Sequence, residues 1–120
     1  MTRFDSLYNS AHMAGLDAAT AMTPTPMAVQ NADIFGNRFG PVSVIADGPC
    51  GFAWVAFKGN TAFGRWAKKM GVAKKAYGGG LQIWISDFNQ SMERKYAYAR
   101  AFADTLNEAG IDAYASNRMD

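Results

Sequence analysis

The chain has 120 residues, of which 49% are hydrophobic and 18% charged, and its formal net charge is +2. This length fits one domain, and the apolar share excludes a disordered chain. A single cysteine cannot form an internal disulfide, and the sequence opens without a basic segment followed by an apolar one, so a reducing cytoplasm is expected. Because no stretch approaches the roughly 18 apolar residues of a membrane span, no membrane association is expected.

The first segment predicts a helix over residues 4–21 that is followed by a linker. Its apolar stripe consists mainly of small residues at helical spacing: Phe4, Leu7, Tyr8, Ala11, Ala14, Gly15 and Ala18. The stretch Thr23-Pro24-Thr25-Pro26 ends the helix, because proline lacks an N–H and restricts the preceding residue. We therefore divide the chain into an arm at 1–26 and a core domain at 27–120. Small residues permit close approach to the core or to a second copy, so 4–21 is a candidate homo-oligomer contact.

The core domain shows short strands that alternate with helices. Predicted strands span 42–46, 52–57, 81–86 and 111–115, and predicted helices span 61–70 and 91–109. Residues 27–29 are a candidate edge strand, and 31–41 and 72–80 are expected to be loops. The order favours an α+β or α/β fold with a sheet of about four strands and two helices on one face. The segment 52–57 is apolar at every position and is expected to be covered on both faces, whereas 81–86 alternates and is expected to be half-buried.

A run of basic residues without acids marks the middle of the chain. No carboxylate lies between Asp47 and Asp87, whereas half of the twelve basic residues do: Lys58, Arg65, Lys68, Lys69, Lys74 and Lys75. Cations beside exposed aromatic rings suit a phosphate-bearing ligand, because the charges neutralise phosphates and the rings stack on bases. A solvated helix face, with two lysines stabilising the helix C-terminus, is an equally weighted alternative.

The favoured interpretation of this region is a site for nucleic acid or a nucleotide. The predicted ligand-binding residues are Arg65, Lys68, Lys69, Lys74, Lys75, Tyr77, Gly78, Gly79, Trp84 and Arg118. The glycine triplet at 78–80 is no Walker loop, since no Gly-Lys-Ser/Thr follows it. Its backbone N–H groups are a candidate anion nest, although a hairpin turn is the favoured explanation. Arg118 would join the site if the C-terminal tail folds over the sheet.

Cys50, in the turn Asp47-Gly48-Pro49-Cys50-Gly51, is the one candidate for a catalytic nucleophile. A reactive thiolate needs a helix N-terminus, a cation or a histidine to lower its pKa. A strand is predicted to follow it, and the only histidine, His12, precedes the linker. A small buried residue in a tight turn is therefore favoured. One cysteine and one histidine cannot build a zinc site, and the spacing of the acids requires no magnesium, so no metal or cofactor is predicted.

Three segments of the chain carry a resemblance. They are Gly48-Pro-Cys-Gly-Phe-Ala-Trp-Val, Tyr77-Gly-Gly and Ala113-Tyr-Ala-Ser-Asn-Arg-Met-Asp. Together they resemble a family of small uncharacterised tailed-phage and prophage proteins, over residues 48–120. The resemblance implies a viral or prophage origin and action in the host cytoplasm, and it implies no activity.

Three hypotheses of function follow. The first is a non-catalytic protein that binds nucleic acid or a nucleotide through the basic and aromatic region, for example a nucleotide-signal sponge or a nucleic-acid accessory protein. The second is a module that inhibits a host defence or replication protein, anchored by Trp84, Tyr77 and exposed methionines. The third and least favoured is an enzyme that uses Cys50, because the chain offers no nearby general base.

Overall fold

The computed structural model describes residues 3–23, 27–32, 38–45, 51–76, 78–86 and 91–119. The helices in these ranges are α1 (Arg3–Ala21), α2 (Ala62–Lys69) and α3 (Met92–Glu108). The strands are β1 (Met27–Ala32), β2 (Arg38–Ile45), β3 (Gly51–Phe57), β4 (Lys74–Lys75), β5 (Leu81–Trp84) and β6 (Ala113–Met119). Helices and an antiparallel sheet of four strands confirm the predicted α+β class.

The main sheet has the strand order β4-β5-β3-β6, and each neighbouring pair is antiparallel. Two split β-α-β units generate this order. In the first, β3-α2-β4, the two strands lie on either side of β5; in the second, β5-α3-β6, they lie on either side of β3. The result is the β-α-β-β-α-β arrangement called ferredoxin-like. It places β3 and β5 at the centre of the sheet and leaves β4 and β6 at its edges.

Three of the four predicted strands correspond to β3, β5 and β6 of this sheet, and the fourth does not belong to it. The predicted strand at 42–46 belongs to β2, which begins at Arg38 within a range predicted to be loop. Within the described ranges β2 pairs with β1 alone, in a separate two-stranded sheet. The fourth strand is instead β4, inside the predicted loop at 72–80. Its two lysines give no apolar alternation, so only the pairing with β5 defines it as a strand.

Capping side chains and glycines set the ends of α2 and α3. The backbone N–H of Gly64 donates to Oγ1 of Thr61 over 2.9 Å at the start of α2. After α2, Gly71 adopts a φ of 76°, and after α3, Gly110 adopts a φ of 85°. The N–H of Ile111 then donates to the carbonyl of Leu106 over 3.0 Å. These positive φ angles and hydrogen bonds are those of a helix-terminating glycine cap.

The hydrophobic core lies between one face of the sheet and the helices. Inward-facing residues of β3 and β5 alternate with outward-facing ones, as the period of two in a strand requires. The largest fully buried apolar side chains include Phe63 of α2 and Phe102 and Leu106 of α3. The Phe63 ring lies 5.1 Å from that of Phe57, which fixes α2 to the sheet.

The N-terminal helix packs on α3 and α2. Ala11, Gly15 and Ala19 are buried, and the Arg94 guanidinium donates to the carbonyl of Ala19 over 3.1 Å. Of the two alternatives that the sequence leaves open, the structure shows the one in which this helix folds back. Pairing of two copies through residues 4–21 stays a prediction, and it would have to use the exposed side of α1. None of the described helices combines the length and the apolar character needed to cross a membrane.

Candidate functional site

None of the described helices packs on one face of the main sheet, and the strand register determines which side chains share that face. Trp54 on β3 lies opposite Trp84 on β5 and opposite Ser116 on β6. Directly opposite residues of antiparallel strands project to the same face. The same register adds Phe52, opposite Arg118, to this surface. The residues of this open face are Phe52, Trp54, Ala56, Gln82, Trp84, Tyr114, Ser116 and Arg118.

Three rings meet at the centre of the open face, and we call Phe52, Trp54 and Trp84 the aromatic cluster. The ring centroids of the two tryptophans are 4.8 Å apart with an interplanar angle of 36°. The Phe52 ring meets Trp84 edge-on at 5.9 Å. Trp84 keeps 41% of its surface exposed. The guanidinium carbon of Arg118 lies 5.4 Å from the Phe52 centroid, which places a cation beside the rings.

A buried lysine holds the start of β3 beneath this cluster. Lys95 of α3 is 5% exposed, and its ammonium group donates to the carbonyl of Gly51 over 3.4 Å. The same nitrogen lies 5.6 Å from the Phe52 centroid. The contact connects α3 to the strand that carries two of the three rings, so Lys95 helps to position the aromatic cluster. Sequence reasoning missed this lysine, because it follows Glu93 and Arg94 in a charged run and belongs to no motif.

A groove of about 730 Å³ extends from the aromatic cluster across the open face, and we call it the sheet groove. Trp54 and Gln82 form part of its floor, and Tyr114 lines it from β6. Its other end reaches the turn between β4 and β5, where the glycine triplet lines it. The lining therefore combines flat aromatic rings with hydrogen-bonding side chains and exposed backbone, a composition that suits a planar polar ligand.

A second groove of about 600 Å³ adjoins the first, and we call it the basic groove. Lys58, Lys68 and Lys75 line it, and no described lining residue carries a carboxylate. Lining residues common to the sheet groove and the basic groove include Lys58, Gly79 and Gly80. A ligand that spans the two grooves would place its flat groups on the rings and its anionic groups beside the three lysines.

The glycine turn between the grooves has a tight hydrogen-bonded form. Gly78, Gly79 and Gly80 adopt φ angles of 94°, 116° and 75°, which residues other than glycine rarely adopt. The N–H of Ala76 donates to the carbonyl of Gly80, and the N–H of Gly79 donates to the carbonyl of Ala76. The turn thus brings Lys75 and the sheet face to the same end of the β4-β5 hairpin.

The structure separates the predicted ligand-binding residues into groups. Lys68, Lys75 and Gly79 meet in the basic groove, and Gly78 lines the sheet groove. Trp84 and Arg118 lie on the open face but do not line either groove.

The remaining predicted residues lie apart or outside the described ranges. Arg65 and Lys69 are exposed on α2 and line neither groove. Lys74 lies opposite Gln82, so it borders the open face at the β4 edge. Tyr77 and Cys50 lie outside the described residues, and their predicted roles stay predictions. Within those residues, no three His, Cys, Asp or Glu side chains are grouped to hold a metal ion.

Sequence reasoning missed four residues of this surface, namely Lys58, Phe52, Trp54 and Tyr114. The expectation that both faces of 52–57 are covered is not met by the described residues, because Ala53 and Val55 are buried under the helices whereas Phe52 and Trp54 are only half-buried. An apolar run does not reveal which face is open, and the register with β5 and β6 supplies that information. The sequence gives a weak indication that Lys58 belongs to the site, since Lys58 directly follows the central strand within the acid-free region.

Comparisons with known proteins do not assign this arrangement to a family: no family model, no curated protein and no solved structure matches the chain. Its function is therefore argued from the aromatic cluster, the sheet groove and the basic groove.

Proposed function

We propose that this protein binds single-stranded nucleic acid without catalysis, with bases on the open face and phosphates in the basic groove. One observation carries the proposal: the in-register pair of Trp54 and Trp84, on a sheet face that none of the described helices covers, near a groove lined by three lysines. RNA-binding modules with four-stranded sheets stack two or three bases on aromatic side chains of the open face. This sheet offers rings on the corresponding central strands, β3 and β5.

The partly exposed aromatic rings of the open face favour a single strand over a duplex. In a duplex the faces of the bases are stacked on one another, so a protein ring reaches them only after a base is extruded. A single strand presents its base faces freely, and each base stacked on an aromatic side chain contributes about 1–3 kcal/mol. Gln82 and Ser116, beside the rings, offer hydrogen bonds to base edges.

The basic groove supplies positive charge for the phosphates of a nucleic acid. Three lysines without a carboxylate among the described lining residues attract the phosphate backbone. Because the two grooves adjoin at the glycine turn, a strand whose bases lie on the open face has its phosphates within reach of Lys58 and Lys75. Binding in this mode is expected to weaken steeply as the salt concentration rises.

Fluorescence anisotropy with labelled single-stranded DNA and RNA of mixed sequence tests the proposal. Replacing Trp84 by alanine is expected to weaken binding by about tenfold or more, because one stacked base is lost. Met70→Ala is the matched control, since Met70 directly follows α2, is 55% exposed and lies away from the open face. Its affinity should stay at the wild-type value.

Two outcomes would contradict the proposal. One is no binding of either strand by the wild-type protein at low salt. The other is an equal loss of affinity in Trp84→Ala and in the control. In either case a host protein becomes the better candidate partner, with exposed side chains such as Trp84 and Tyr114 as anchors. The phage or prophage origin stays a prediction in both cases, and so does an enzyme that uses Cys50, which alkylation of the native thiol tests.

A further inference from the structure

The two edges of the main sheet are built differently. The strand at one edge, β4, has two residues, and both are lysines. Short length and lysine side chains are features that prevent other strands from pairing with an edge. At the other edge, β6 has seven residues, with one charged side chain and no proline. Within the described ranges β6 pairs with β3 alone, so its outer side presents unpaired N–H and C=O groups.

The outer edge of β6 is also open to the surroundings. A groove of about 190 Å³ separates it from α3, lined by Arg100 and Asp104 of the helix and by Ala113 and Ala115 of the strand. Tyr114 is 65% exposed, the largest value among the large hydrophobic side chains whose burial the structure describes. An exposed edge of this length, with few charges, is a template for a further strand.

We propose that two copies of this chain pair through the outer edges of β6, antiparallel about a two-fold axis at Ser116. The seven residues of β6 are centred on Ser116, so this register uses the whole strand. It places Ala113 opposite the partner's Met119. It also places Tyr114 opposite the partner's Arg118, so a ring meets a cation twice across the axis. An isologous contact of this kind needs one self-complementary patch, and β6 supplies it.

Pairing in this register would join the two open faces. A two-fold axis perpendicular to the sheet keeps both faces on the same side, so the two four-stranded sheets become one continuous sheet. The guanidinium carbon of Arg118 already lies 5.4 Å from the centroid of the Phe52 ring. The partner's Tyr114 would lie beside Arg118 on the other side of the axis. The two aromatic clusters would then line one surface. The pairing itself rests on backbone and register and not on the proposed nucleic-acid function.

Charge complementation at position 116 tests the pairing. Native mass spectrometry of nucleic-acid-free wild-type protein is expected to give twice the mass of the 13.0 kDa chain. Ser116→Lys and Ser116→Glu should each give single chains, because like charges directly opposite one another destabilise an antiparallel pair. Mixing the two variants should restore a dimer that contains one copy of each. Ser86→Lys, at an exposed position outside β6, is the matched control and should stay dimeric.

Several results would overturn the proposal. It fails if the wild-type protein is a single chain, if both charged variants stay dimeric, or if the mixture forms no heterodimer. Circular dichroism of each variant separates loss of pairing from loss of the fold. If the charged variants unfold, Tyr114→Ala replaces them, and an unchanged dimer affinity in that variant rejects the register. None of these measurements involves nucleic acid, so their outcome is distinct from that of the binding assay.

Discussion

At the scale of single residues, Lys68 and Lys69 are neighbours on α2 that differ in what their side chains reach. Lys68 lines the basic groove together with Lys58 and Lys75. Lys69 is exposed on the same helix and lines neither groove. Both contribute the same formal charge, so if polyanions were attracted only by the overall charge, removing either lysine would change their binding equally. A local phosphate site would distinguish them.

We therefore expect Lys68→Ala and Lys69→Ala to change the salt dependence of binding differently. Losing one phosphate contact with a single strand should lower the slope of log affinity against log salt by about 0.7. Lys68→Ala should show this change, whereas Lys69→Ala should leave the slope near the wild-type value. Anisotropy titrations at several salt concentrations measure both slopes. Equal slopes for the two variants would mean that the basic groove is not the phosphate site.

The residues of the open face show how far sequence alone determines a site. Trp84 was predicted to be exposed, because Leu81, Ile83 and Ile85 alternate with polar positions on the other face. Trp54 escaped prediction, since its own strand is apolar throughout and only the pairing with Trp84 shows its face. The basic residues were found by their lack of interleaved acids, but the division between those lining the groove and the others depends on tertiary structure.

At the scale of elements, the contact between α1 and α3 depends on a glycine that faces an aromatic ring. A Cβ atom built at Gly15 would lie 2.6 Å from the ring of Tyr98. The Tyr98 hydroxyl forms a hydrogen bond with Nδ1 of His12, which lies on α1 like Gly15, and this bond fixes the Tyr98 ring. Nearer the N-terminus of α1, the Tyr8 ring meets the Phe102 ring edge-on, with 5.5 Å between the ring centroids. The absence of a side chain at Gly15 therefore sets how closely the two helices approach.

Gly15→Ala is expected to destabilise the protein, although alanine favours a helix more than glycine does. Overpacking against a buried ring costs typically about 1–3 kcal/mol, which exceeds the gain of about 1 kcal/mol in helix propensity. Urea unfolding followed by circular dichroism measures the difference in free energy of unfolding. Ser10→Ala, at an exposed position of the same helix, should change that free energy by less than about 0.5 kcal/mol. A stabilised Gly15→Ala variant would show that α1 does not pack on α3 in this way.

The elements themselves were predictable to different degrees. All three described helices agree with their predictions within about one residue at each end. Apolar periodicity indicates each helix, the prolines after Met22 limit α1, and Gly71 and Gly110 limit α2 and α3. The shortest strand, β4, was missed because two lysines carry no local signal for a strand. The assignment of β2 to a separate hairpin was missed as well, since local sequence does not determine which strands become neighbours.

At the scale of the whole molecule, the sheet groove and the aromatic cluster lie on the open face of the sheet, and the basic groove adjoins the sheet groove beside α2. On the other side of the sheet, α1 packs on the helices. The protein purified without nuclease is expected to carry nucleic acid, which absorbance at 260 nm and native mass spectrometry detect. High salt should remove it, because phosphate contacts release counterions when they form. Protein that is free of nucleic acid at low salt, and that stays so when single strands are added, would contradict the proposed function.

The strand order also has a consequence for biosynthesis. The central strand β3 acquires its first neighbour only when β5 has been made, and its second only when the chain is complete through Met119, which pairs with Gly51. Such long-range pairing slows folding. Until then the edge of β3 stays unpaired beside Ala53 and Val55, which are fully buried in the finished protein. A nascent chain that stalls before Ala113 would therefore expose an apolar strand edge and be prone to aggregate, which makes β6 the element that ends this vulnerable period.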